Sequence, residues 1–182
     1  MLLTALEKER YQELVRLLDQ ESLRVKARHG SRIRCRPGCV ECCLRFSVLP
    51  IEAAVLREAV ETLSEEIQSL IQDQAADREC SSCPLLVDEL CRVYDSRPVI
   101  CRTHGLPLAY IDEELQLIEV SACPINFDQQ SLFTEEDLLP MDLFNRRLAE
   151  LNSSFCRERN LRSQVRVPLV EIFLFPLNPL AR

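Results

Sequence analysis

The sequence predicts a mainly α fold of the α+β class, with long amphipathic helices packed around a loop-rich, cysteine-rich region that carries a small β-hairpin. Three observations predict it. Apolar residues recur at helical spacing in the first thirty residues, over 51–77 and again over 143–155. That period is lost between Cys80 and Asn126. Within the same stretch, two short apolar runs flank a cluster of acids, as a hairpin requires. With 182 residues, 47% of them apolar and 28% charged, the chain is expected to fold as one soluble domain, 1–182, long enough to bury a real core. It has three glycines and no Gly-x-Gly, so it lacks the backbone of a dinucleotide fingerprint or a phosphate-binding P-loop.

The first segment, Leu2 to about Arg28, spaces Leu3, Leu6, Leu14, Leu17, Leu18 and Val25 along one helical face, and His29-Gly30 supplies its stop. His29 is expected to meet the terminal carbonyls of that helix rather than a metal. Pro50 suits a first helical position and leads into Ile51, Val55, Ala59, Leu63, Ile67 and Ile71, which predicts one helix to about Asp77 with its glutamates on a solvated face. Leu106–Tyr110 and Leu115–Val120 are the candidate hairpin strands. Thr134, followed by three acids, reads as a helix N-cap, with Pro140 restarting or bending that helix before Leu143, Phe144, Leu148, Leu151 and Phe155. The tail, Val165–Phe175, suits a short strand or a short helix equally well.

Charge is uneven. Residues 1–45 hold ten Lys/Arg against six Asp/Glu, 46–145 five against twenty, and 146–182 seven against three, for formal charges of +4, −15 and +4. A net charge of −7 without interleaved aromatics argues against nucleic acid as a partner. No apolar run approaches the roughly 20 residues of a membrane span, and charges at 7–10 interrupt any signal-peptide core, so a cytoplasmic setting without a membrane partner is expected.

Ten cysteines are more than such a chain needs for filling, and they are clustered. Cys35, Cys39, Cys42 and Cys43 lie within nine residues; Cys80, Cys83, Cys91 and Cys101 form a later set; Cys123 and Cys156 stand apart. In a reducing compartment dense thiols read as metal ligands before disulfides. Pro37-Gly38 shapes the first turn, and spacings of two or three residues let a turning backbone aim successive sulfurs at one ion or cluster. Cys42 and Cys43 are adjacent, and neighbouring side chains diverge, so the pair can serve two metals, two faces of a cluster, or leave one thiol free. Cys39, Cys42, Cys83, Cys91 and Cys101 are expected to share one neighbourhood, because the intervening helix returns the chain to its start. Arg32, Arg34, Arg36, Arg97 and Arg102 would offset the negative charge of a thiolate-bound metal. Cys156, inside a helical pattern, reads as core filling.

The string Cys35-Arg-Pro-Gly-Cys39-Val-Glu-Cys42-Cys43, followed by Cys83-Pro84, Cys91-Arg92-Val93-Tyr94, Arg97-Pro98, Cys101-Arg102 and Cys123-Pro124, resembles the YkgJ-type cysteine cluster proteins, the CxxCxxCC family of zinc- or iron-chelating domains. The motif core spans 35–124, with helical extensions at both ends. The resemblance implies metal-site roles for Cys39, Cys42, Cys43, Cys83, Cys91, Cys101 and Cys123. Cys35 joins them, although it stands three residues before Cys39 where the family name implies two. Cys80 falls outside the motif and is an open candidate. His104, three residues beyond Cys101, suits a supporting role better than that of a ligand.

Ligand type leaves zinc, iron and an iron–sulfur cluster open. Cys35-x3-Cys39-x2-Cys42 also has the spacing of a radical S-adenosylmethionine motif, but the chain lacks the repeated βα units and the glycine-rich loop that such a cofactor needs. The expected function is chelation of zinc or iron through the cysteine cluster, with a metal ion as partner and a protein partner open. The alternative is an iron–sulfur-dependent modifying enzyme, since the resemblance extends to flagellin lysine methylases. Two histidines and no nucleophile elbow point to no catalytic residue.

Overall fold

A computed structural model describes residues 2–36, 38–112 and 114–174. Helix α1 (Ala5–His29) starts on a reciprocal cap: Thr4 accepts from the Glu7 amide and the Glu7 carboxylate accepts from the Thr4 amide. It ends at Gly30, whose φ of +51° suits a residue without a Cβ. The chain continues through β1 (Ser47–Val48), α2 (Pro50–Glu61), α3 (Glu65–Ala76), β2 (Leu86–Val87), β3 (Leu90–Cys91), α4 (Val99–Thr103), β4 (Leu108–Asp112), β5 (Leu117–Ser121), β6 (Leu139–Pro140), α5 (Asp142–Arg157), β7 (Val167–Pro168) and α6 (Leu169–Leu174). The α+β class holds, with helices dominant and the sheets small.

The 51–77 stripe is two helices, not one. The chain breaks at Thr62–Ser64 because Thr62 turns its hydroxyl back to donate to the Ala59 carbonyl and Ser64 caps the next helix, accepting from the Ile67 amide. An i, i+4 apolar pattern runs through this break unaltered, which is why periodicity alone joined the two. Their glutamates are also not all solvated: Glu52 is buried, and Glu58 pairs with Lys8 at 2.7 Å while accepting from the Leu3 amide.

The hairpin forms two residues later than its apolar runs suggested, with β4 antiparallel to β5 in the register Leu108↔Ser121 to Asp112↔Leu117. Its turn uses Gln116 at φ +52° in place of a glycine. Thr134 does cap a turn, but that turn is a short 3-10 segment (Glu135–Asp137). Pro140 lies in β6, parallel to β4, and α5 begins only at Asp142. The tail supplies both a strand and a helix, since β7 pairs with β1 and α6 follows at once; Phe175 lies outside the described residues.

A single cluster of buried side chains joins these elements. Leu18, Ile51, Leu56, Leu139, Phe155 and Ile172 are fully buried in it. Helix α5 packs on α1 and α2, and α6 packs on α2 and α3. Arg159, just beyond α5, holds Glu7 of α1 through bonds of 2.6 and 2.8 Å. The cysteine loops are thus hung on a helical frame. Among the described residues no helix is long and apolar enough to cross a membrane.

Candidate metal centre

All ten cysteines are free thiols. Eight of them fall into two adjoining sets. The outer set comprises Cys35, Cys39 and Cys42 on the loop after α1, with Cys123 following β5. Burial raises the Cys39 thiol, and the neighbouring Cys35 and Cys123 raise it further, while the Glu41 amide, donating to the sulfur, opposes them. Cys42 is pushed up to about 11 by burial and by Cys43, Cys39 and Cys35. Asn126 braces this set: its amide nitrogen donates to the Gly105 carbonyl at 2.7 Å and approaches the Cys35 sulfur at 3.4 Å, and its oxygen accepts from the Arg34 amide at 3.0 Å. Gly105, at φ +90°, allows that approach, since a Cβ there would lie 2.3 Å from the Cys35 sulfur.

The inner set is Cys43, Cys83, Cys91 and Cys101. The Cys83 amide donates to the Cys43 carbonyl at 2.8 Å, beside an isolated bridge between Leu44 and Ser82. Cys91 closes the β2–β3 hairpin opposite Leu86, and Cys101 sits on α4, which Pro98 starts. Burial pushes the Cys83 thiol up to about 12, reinforced by Cys91 and Cys43. It lifts Cys101 further still, with Cys83, Cys91 and Cys43 adding to the rise. Amides two residues on, from Leu85 and Val93, donate to the sulfurs of Cys83 and Cys91 as Glu41 does to Cys39. Such donors favour the thiolate, the form a metal needs.

The five cysteines expected in one neighbourhood spread over both adjoining sets, Cys39 and Cys42 in the outer and Cys83, Cys91 and Cys101 in the inner, with the adjacent Cys42 and Cys43 influencing each other where the sets meet. Among the described residues no three His, Cys, Asp or Glu side chains are already drawn in as a metal-holding group, so each set is a neighbourhood of thiols rather than a closed coordination sphere. The donor sets nonetheless match in kind what zinc or iron takes: four sulfurs each, with backbone N–H groups turned towards them.

A family model described as CxxCxxCC, a putative zinc- or iron-chelating domain, matches residues 34–124. The chain belongs to this family. The CxxCxxCC region contains both thiol sets entire, from Cys35 to Cys123. No curated protein and no solved structure matches the chain.

Around the CxxCxxCC thiols the arginines divide by role. Arg97 lies over the Tyr94 ring at 3.5 Å, and its charge eases the Cys91 and Cys101 thiols downward against the effect of burial. Arg102 does not serve the sulfurs: it is buried, bonds Asp19 of α1 at 2.7 Å and donates to the carbonyls of Arg97 and Asp95, tying α4 to the frame. Arg32, Arg34 and Arg36 are exposed on the outer loop. His29 bonds the Asp137 carbonyl at 2.8 Å and packs edge-on against Phe127 and Phe133, so it fastens a distant segment rather than its own helix end. His104 lies on a cavity wall beside the outer set, its pKa lowered by burial. Cys80 is half-buried in the loop after α3. Cys156 is buried in α5 and donates to Asn152 at 3.7 Å.

Three contributors were not visible in the sequence pattern. Asn126 and Gly105 shape the outer set, and Arg45 donates to the carbonyls of Gln74, Asp77 and Ser82, fixing the approach to Cys83. The scarcity of glycine was the one signal that could have singled out Gly105.

Proposed function

We propose that this CxxCxxCC protein chelates zinc or iron at two centres, Cys43, Cys83, Cys91 and Cys101 holding one and Cys35, Cys39, Cys42 and Cys123 the other. The observation that carries this reading is the sorting of eight cysteines into two sets of four, because four thiolates are what one zinc or one iron–sulfur centre takes. Zinc is favoured: the outer loop is open to water and oxygen, which oxidise an exposed iron–sulfur cluster and leave zinc unchanged. Anaerobic purification with elemental analysis and an absorption spectrum tests it. A colourless protein with roughly two zinc ions per chain is expected. A chain without bound metal sinks the reading.

A second reading, an iron–sulfur-dependent modifying enzyme, draws support from one feature, the cavity of about 950 Å³ against which the outer set lies. A brown preparation with iron and acid-labile sulfide in equal amounts would put it first.

A further inference from the structure

The same cavity separates the eight cysteines independently of their mutual influence. Cys35, Cys39, Cys42 and Cys123 line it, and Cys43, Cys83, Cys91 and Cys101 do not. Much of the rest of its wall is apolar, with Leu49, Val99, Leu106, Leu108, Met141 and Leu148 contributing. Its size lies at the upper end of the range for small-molecule sites, about 300–1,000 Å³.

The buried polar side chains on its wall are already engaged, and the charged Glu41 and Arg166 that also line it are exposed. Glu52 is buried, but its two oxygens accept from the Leu49 and Val99 amides at 3.1 and 2.9 Å. The Thr103 hydroxyl donates to the Val99 and Ile100 carbonyls, each at 3.2 Å. Among the described residues, no buried side-chain nitrogen or oxygen on the cavity wall lacks a partner. A ligand that fits the buried part of such walls needs no charge of its own. It presents apolar surface to the leucines, and its one donor atom meets the wall that differs from the rest, the thiols. A metal held by thiolates carries net negative charge, which again selects a neutral donor over an anionic one.

We propose that the cavity binds an uncharged organic molecule with an apolar ring or chain and one nitrogen or sulfur donor, seated with that donor against the outer thiol set. The cavity stands without the metal reading; the donor's role at the outer centre, where it takes the place of one exposed thiol, rests on it. The probe is 4-phenylimidazole compared with imidazole, which has the same donor and no apolar ring. The full chain, loaded with cobalt(II), is titrated while its cobalt–thiolate absorption is followed.

The expected result is that 4-phenylimidazole binds at least about tenfold more tightly than imidazole, the size of effect that burying one aromatic ring gives. Leu148→Trp, which fills the cavity, should abolish that preference while cobalt content and circular dichroism stay unchanged. Because the chain has no tryptophan, Ile100→Trp at the cavity wall supplies a fluorescence signal of its own that should change with 4-phenylimidazole. That signal decides the matter even if Leu148→Trp fails to fold. Equal affinity for the two probes, or a preference that survives Leu148→Trp, overturns the proposal. A chain that takes up no cobalt overturns the metal reading instead, and Ile100→Trp fluorescence in the metal-free protein still decides the cavity.

Discussion

The two thiol sets use the same residue type under opposite conditions. The inner set is assembled from the end of the first cysteine loop, the loop before β2, strand β3 and helix α4, with Cys83 only 9% exposed and its backbone bonded directly to Cys43. In the outer set three of the four thiols come from one irregular loop, Cys35 and Cys42 are exposed, and the support is a single asparagine and a glycine. A centre that draws distant segments together stabilises the fold. One that sits on a loop beside a cavity can exchange its ligands without unfolding anything. The difference teaches that cysteine spacing identifies candidate ligands, whereas the elements that carry them decide whether a metal would brace the protein or act at its surface.

The sharpest break of this comparison is removal of an inner thiol. Cys101→Ser is expected to lose the inner metal and to loosen residues 80–103 together, at a cost of about 3–5 kcal/mol, because the binding energy of a structural metal is also folding energy. Amide exchange across β2, β3 and α4, set against exchange in α1 and α5, measures it. Equal protection in variant and parent would show that the helical frame holds the hairpin unaided.

A smaller effect is expected on the outer side from Gly105→Ala. The new Cβ would meet the Cys35 sulfur at 2.3 Å and the backbone sits at φ +90°, so the strain is about 1–3 kcal/mol and local. One metal of two should be lost, with the inner one kept. Loss of both would mean that the sets form one centre. Cys35→Ser should likewise remove only the outer metal, at less than about 1 kcal/mol of global stability, since the residue is exposed on a loop. Thermal unfolding with metal analysis of the folded fraction checks both variants.

Much of this was legible in the sequence, and the failures have physical causes. The helices at 5–29 and 142–157 follow from apolar spacing that coincides with burial of Leu14, Leu18, Phe144 and Phe155. The break at Thr62–Ser64 did not show, because side-chain hydroxyls that cap and turn the backbone leave no mark on apolar period. The candidate ligands were readable as a list, and their partition was not. Cys42 and Cys43 are neighbours in sequence, and only the pairing of residues 43–45 with 81–83 sends one of them inward. Arg102 looked like a thiolate partner by proximity to Cys101, yet its side chain leaves in the direction of Asp19. Glu52 was grouped with the other glutamates of the stripe as solvated, yet it is buried beside Ile51, Ala53 and Ala54.

The mildest expected effect is what acid leaves intact. Asp137 accepts from the Thr134 hydroxyl and amide and from Arg28, and these bonds hold its carboxyl well below the usual carboxylate range. A carboxyl depressed in the folded state contributes stability that is present above its unfolded value, about 3.9, and lost only as pH falls through the folded one. The thiol centres behave oppositely. Without metal their sulfurs hold protons tightly, Cys42 to about 11 and Cys83 to about 12, so protons displace metal as pH falls. On acidification from neutral towards about pH 4 the protein should therefore release metal, the outer ion first because acid reaches its exposed loop without opening the frame, although the inner thiols are the more basic, while exchange of the amides at 134–137 stays unchanged. A pH series that follows metal release and amide exchange together reads both. If 134–137 loosens in step with the first metal lost, the outer centre is coupled to the helical frame, and the contrast between a bracing site and an exchanging one fails.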